Sequence, residues 1–188
     1  WREDNTELWT FEGHSIKAPI TRLLGTQQQA ATSLPVTAEH LPALVQFCAN
    51  NLQSFLSGAT PNYFAFGLPD GNVHGVAMNL LTQQGQEFIQ GNRFSLKETL
   101  PLQSTLFSMA EGMAQSIRRT PAIASQLQQC QLGITVLGAP SLHGSAAEPD
   151  LTGIDAKRQM ILVVGNNRSA AFFDPQQDRK STRLNSSH

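Results

Sequence analysis

Residues 132–175, LGITVLGAPSLHGSAAEPDLTGIDAKRQMILVVGNNRSAAFFDP, decide the fold. The stretch holds three short apolar runs. Ile134-Thr135-Val136-Leu137 predicts a strand that closes on Gly138-Ala139-Pro140. Met160-Ile161-Leu162-Val163-Val164 is joined to Ala170-Ala171-Phe172-Phe173 through Gly165-Asn166-Asn167. That pair reads as a β-hairpin, because β-branched residues flank an Asn-Asn dipeptide that tolerates the positive φ of a tight turn. A run that is apolar at every position, as 160–164 is, predicts a strand buried on both faces, hence a central one covered by helices.

Working outward, 188 residues with 40% hydrophobic and 14% charged side chains suffice for one domain. A formal charge of -1 offers no field that would draw in nucleic acid or an anionic membrane surface. No apolar run reaches the roughly 18–20 residues that span a bilayer. Cys48 and Cys130 make no disulfide framework, and Cys48 falls on an apolar helical stripe, so the cytoplasm is the expected compartment. The chain opens on Trp1 without an initiator Met, which predicts a fragment. Residues 178–188, DRKSTRLNSSH, lack periodicity and read as one frame of a sequencing adapter. Residues 1–33 read as an upstream remnant or linker, with the polar run GTQQQAATS near their end, and the domain is expected over 34–177.

Within that domain, Leu41, Leu44, Val45, Cys48, Leu52, Phe55 and Leu56 recur at three- and four-residue spacing after Thr37 and before Gly58. They predict an amphipathic helix over 38–57 with Thr37 as its cap. Residues 63–68 and 73–81, around the turn Pro69-Asp70-Gly71-Asn72, predict a second hairpin, and Phe88-Ile89 a short strand. Thr99 and Pro101 can start a long helix along which Leu102, Leu106, Met109, Ala110, Met113 and Ile117 share a face. Arg118 and Arg119 complement its dipole, and Pro121 ends it. Ile123 and Leu127 continue a weaker helical pattern. Consecutive βαβ units are absent from this order. It predicts an α+β fold, a largely antiparallel sheet packed on two long helices. Val136, Leu162, Val164 and Phe172 are expected to meet those helices through Leu44, Leu52, Leu106 and Met113.

Signatures of chemistry are sparse. The chain has no G-x-G-x-x-G, P-loop, H-E-x-x-H, C-x-x-C or G-x-S-x-G. Its histidines, His14, His40, His74, His143 and His188, show no metal-ligand spacing, so neither a metal nor a cofactor is expected. His74 can be a polar contact at a pocket mouth, with Gly75 admitting a ligand to the backbone and Asn79 beside them. The plainer alternative is a surface histidine next to a bulge glycine. Glu148, Asp150 and Asp155 could hold a hard cation or act as an acid/base pair, but they equally serve to solvate a loop. Met109 and Met113 could line an adaptable binding surface, but core packing is the plainer reading.

In this order the chain resembles the AMMECR-type domain, the A component of the AmmeMemoRadiSam system. The phrases that carry the likeness are FAFGLPDGNVHGVAMN (64–79), the helix within 100–120, Gly133-Ile134-Thr135-Val136-Leu137-Gly138-Ala139-Pro140, and MILVVGNNRSAAFFDP (160–175). Where the family has R-G-C-I-G, this chain has His74-Gly75-Val76-Ala77-Met78, so only the glycine is kept. Val76 stands at the cysteine and can be neither nucleophile nor metal ligand. Asp174-Pro175 replaces the family's Leu-Pro. The resemblance implies an α+β fold and a non-catalytic accessory or binding domain beside a Memo-like or radical-SAM partner, with His74, Gly75 and Asn79 as binding residues. The rival expectation is a small-molecule enzyme with a pocket near His74 and the 148–155 acidic loop.

Overall fold

The computed structural model describes residues 7–19, 36–145, 148–155, 159–165 and 168–172. The chain begins with β1 (Glu7–Pro19), a 3-10 turn (Ala38–His40), α1 (Leu41–Ser57), β2 (Asn72–Val73), β3 (Gly75–Leu81) and β4 (Glu87–Phe94). It continues with β5 (Leu100–Pro101), α2 (Leu102–Arg119), α3 (Pro121–Ala124) and a 3-10 turn (Leu127–Gln129). The last strands are β6 (Gln131–Ser145), β7 (Glu148–Pro149), β8 (Gln159–Gly165) and β9 (Arg168–Phe172). This is an α+β chain whose main ladders are antiparallel. No described helix is long and apolar enough to cross a membrane.

Two compact units divide the chain. One is 14–138, and the other joins 1–13 to 139–188. The long strands β1 and β6 each contribute a half to both.

In the 14–138 unit, β3 lies between β4 and the first half of β6. Its alternate residues Val76, Met78 and Leu80 turn to the helices, as do Leu132, Ile134 and Val136 of β6. Leu44, Phe47 and Leu52 of α1 and Leu102, Leu106, Met113 and Ile117 of α2 complete that core. Each such side chain contributes about 1.5–3 kcal/mol by leaving water. Both helical stripes read from the sequence are the buried ones, except that Phe55 and Leu56 at the end of α1 are half-buried. Thr37 flanks the 3-10 turn that leads into α1, its N–H donating to His40 Nδ1 at 3.1 Å. Gly58 stops α1 at φ 77°, a left-handed conformation that costs a glycine nothing. The Arg118 guanidinium, in the last turn of α2, donates to the Phe55 carbonyl near the end of α1.

Residues 63–68 are not a strand, contrary to the sequence pattern, and the hairpin is β3–β4. The side-chain amide of Gln103 takes up the backbone groups that a partner strand would have used. Ala65 N–H donates to Gln103 Oε1 at 2.8 Å, and Gln103 Nε2 donates to the carbonyls of Ala65 and Leu68, each at 3.3 Å. Gly67, at φ 88°, turns the chain away from an extended path. The short strand expected around Phe88 and Ile89 is the eight-residue β4. Among the described strands β4 pairs only with β3, and its ladder shifts register between Leu80 and Leu81. Pro121 follows the end of α2 and opens the short α3.

In the other unit, the first half of β1 pairs with β8 from Glu7↔Val164 to Glu12↔Gln159, and β8 pairs with β9. Residues 7–19 are therefore a strand of the fold rather than a linker. The hairpin expected from the Asn-Asn turn is present, with Gly165 opposite Arg168. Its first strand is less covered than its sequence suggests: Met160 and Leu162 are buried, while Ile161, Val163 and Val164 are half-buried. Leu162 sits in this unit beside β1, where Leu8 and Phe11 are also buried, whereas Val136 joins the core under the helices. The side chain of Phe172 and the residues from 178 onward lie outside the described residues. β6 does not close at 138–140 but runs on to Ser145. β3 pairs with it only as far as Leu137, so Pro140 breaks no bond on that side.

Candidate functional site

The expected binding residues sit at the start of β3 and along it. His74 is half-buried and locked between neighbouring strands. Its N–H donates to Leu137 O at 3.1 Å, and its carbonyl accepts from Ser95 N at 2.8 Å. The ring Nδ1 lies 3.2 Å from Ser95 O, so it carries the proton, because a carbonyl can only accept. Nε2 then keeps a lone pair with no partner among the described residues.

Gly75 has a steric reason to be glycine. A Cβ there would stand 2.8 Å from both Leu137 Cδ1 and Phe94 Cβ, and 3.0 Å from Arg93 O. The neighbouring strands fill the space that a ligand would need. Asn79 points from the face of β3 away from the helices, its Nδ2 3.5 Å from Glu87 Oε2. His74 and Asn79 are five residues apart on a nearly extended chain, roughly 16 Å of strand. The fold does not gather them into one pocket. Val76 is fully buried in the helix-facing core.

The acidic loop belongs to the other unit and forms a hydrogen-bonded hairpin end. Asp150 N–H donates to His143 O at 2.8 Å. His143 Nδ1 donates to Asp150 O at 3.0 Å, which leaves Nε2 to accept from the Thr10 hydroxyl at 2.8 Å. The order hydroxyl, imidazole, oxygen is that of a nucleophile with its base and orienting group. Thr10 is only 1% exposed, however, so its oxygen cannot meet a substrate. The Thr152 hydroxyl and then its N–H, at 3.0 Å, bind the Asp150 carboxylate and hold its pKa below the usual value. Asp155 N–H donates to Gln159 Oε1 at 2.9 Å. Among the described residues no three His, Cys, Asp or Glu side chains gather closely enough to hold a metal. Burial raises the pKa of both cysteine thiols, so neither is poised as a thiolate.

Two further features lie in the 14–138 unit. Between α1 and β2 the chain displays aromatic rings: Tyr63 is 59% exposed, Phe64 38% and Phe66 88%. Hydrogen bonds to buried side chains tie the display to the core. Gln103 clamps it from below, and Asn62 N–H donates to the buried Asn51 Oδ1 at 2.7 Å. Tyr63 meets Phe107 edge to face with centroids 5.0 Å apart, and Phe107 meets Phe55 at 5.2 Å. The second feature is a cavity of about 240 Å³ between β4 and α2, with Met78, Met109 and Met113 among its walls and Arg93 among its polar groups.

Sequence reasoning missed the aromatic display, and of the cavity it weighed only Met109 and Met113 as a binding surface, preferring core packing. Ser108, Gly112 and Ser116, four residues apart on α2, were a legible stripe of small residues. Arg93 carried no signal, since it stands in a polar stretch with no strong pattern. The aromatics were visible but fitted a strand equally well.

Comparison of the chain with protein-family models, with curated proteins and with solved structures finds no match. Fold and site define its class as a mixed α+β protein with an antiparallel sheet.

Proposed function

We propose that the chain is a divergent AMMECR-type domain acting in the cytoplasm as a non-catalytic accessory or binding module beside a Memo-like or radical-SAM partner. The observation that carries a binding role is the pinned aromatic loop. Leaving Phe66 88% exposed forgoes the stabilisation that burying it would bring, yet two buried amides hold the loop in that state. A surface whose ordering cost is met before the partner arrives binds with less entropic loss. Aromatic anchors of this kind supply most of the energy in many interfaces. A non-catalytic reading also accords with the valine at the motif position of the family's cysteine, with the buried Thr10 and with the hydrogen bonds that engage the acidic loop.

The test is a binding titration of the full chain against the Memo-like and radical-SAM proteins encoded nearest to its gene. A stable complex is expected with one of them. The Phe66→Ser variant should bind at least ~30-fold more weakly, the loss of a central aromatic anchor. Failure to bind either protein, or equal binding by the variant, would overturn the proposal.

A further inference from the structure

We propose that the cavity between β4 and α2 is a binding site for a small organic monocarboxylate with an apolar body, held by Arg93 and Ser108. This goes beyond the partner reading and does not depend on it.

The walls set the chemistry. Met78, Met109 and Met113 are buried to within 8% and lend unbranched, polarizable side chains to the cavity lining. Such a surface adapts to an aliphatic chain or a ring without demanding one shape. The volume, about 240 Å³, exceeds the ~150 Å³ that suffices for benzene in an apolar cavity. That is below the ~300 Å³ at which pockets for drug-sized ligands begin, so the part of a ligand the cavity encloses is small.

Arg93 is the charged residue among those lining the cavity, which also include Gln90, Asn92, Ser108 and Ser116. Arg93 extends from β4 on the face that packs toward α2, opposite Val76 in the ladder. Its guanidinium has no hydrogen-bond or ion-pair partner among the described residues. Ser108 stands out from the other hydroxyls of α2. Ser104 and Thr105 donate to Pro101 O at 3.3 and 2.6 Å, and Ser116 donates to Gly112 O at 3.1 Å. The half-buried Ser108 hydroxyl makes no such bond, nor any other among the described residues. A helical serine ordinarily returns its proton to the preceding turn or meets water. One guanidinium and one free hydroxyl match the two oxygens of a carboxylate. Among the described residues no Asp or Glu lines the cavity to compete for them. Among the described residues a phosphate dianion would find one cation, Arg93, and be left half-neutralised while losing water.

Methionine methyl NMR tests the site directly. Three of the chain's four methionines line the cavity, and the fourth, Met160, is on β8. With the full chain labelled at its methionine methyls, benzoate should shift Met78, Met109 and Met113 saturably, with a Kd on the order of 1 mM. Met160 should stay still. Neutral benzamide and the exposed-site variant Arg93→Gln should each weaken binding at least ~10-fold, the loss of a charge-assisted hydrogen bond. Gly112→Leu should abolish the shifts, since a Cβ at 112 meets nothing within 4 Å and a longer side chain has room to enter. Shifts of all four methyls alike, no shift at all, or equal affinity for benzoate and benzamide would overturn the proposal. Loss of the partner complex leaves these readouts untouched, so the two proposals fail separately.

Discussion

Single atoms account for several choices in this chain. Gly75 is fixed by the 2.8 Å that separates an added methyl from Leu137 and Phe94. Gly75→Ala should therefore cost about 1–3 kcal/mol as the strands shift to admit it. Chemical denaturation would measure the loss, and an unchanged midpoint would remove the steric account. Gln103→Leu keeps the volume but strands Ala65 N–H and two carbonyls, a loss of ~1–3 kcal/mol for each group left buried without a partner. Asp150 ties stability to pH. A carboxyl whose folded pKa is depressed stabilises fully above its unfolded pKa and loses that contribution as pH falls through the folded value. In Thr152→Val the hydroxyl that lowers the pKa is gone, so Asp150 should titrate at a higher pH by carboxyl NMR. A titration identical to the parent's would show that Thr152 is not the cause. These roles were hard to read beforehand, because each depends on what lies opposite in space. Gly75 looked like room for a ligand, and only the register with Leu137 and Phe94 shows that the room is already taken.

Among elements, β1 departs most from expectation. Leu8, read from the sequence as part of an upstream remnant, is 6% exposed, while Leu162 on its partner strand is fully buried. Leu8→Ala and Leu162→Ala should both be costly, about 2–5 kcal/mol each. A harmless Leu8→Ala with a damaging Leu162→Ala would return β1 to the status of an appendage. The helices were legible because their apolar period matches 3.6 residues over four or more turns and both ends carry punctuation. The strand pairing was not, because residues 63–68 and 87–94 can each serve as an extended partner on local grounds. A single glutamine from a helix thirty-five or more residues away decides between them.

At the scale of the whole molecule, the two units should differ in how tightly they hold their amides. The 14–138 unit has two helices laid over its sheet and the larger apolar cluster. Its slowest-exchanging amides, on α1, α2 and β3, should outlast those of β8 and β9 in hydrogen-exchange mass spectrometry. Equal protection in the two sets would contradict that ranking. An α+β composition was legible in the sequence, because helix and strand periods alternate without βαβ repeats. The division into two units was not, since it cuts through β1 and β6, whose patterns run on without a break. One detail of β4 bears on the protein at high concentration. Its other edge is unpaired among the described strands, its ladder with β3 carries a register shift, Gly91 lies in mid-strand, and Glu87 and Arg93 place charges near its ends. A flat, apolar edge would act as a template on which copies add strand by strand into fibrils. Here the kink spoils the template, the glycine weakens the added strand, and the charges tax every layer. Replacing Gly91 and Arg93 with valine would strip away two of those guards and let the folded protein seed its own polymer.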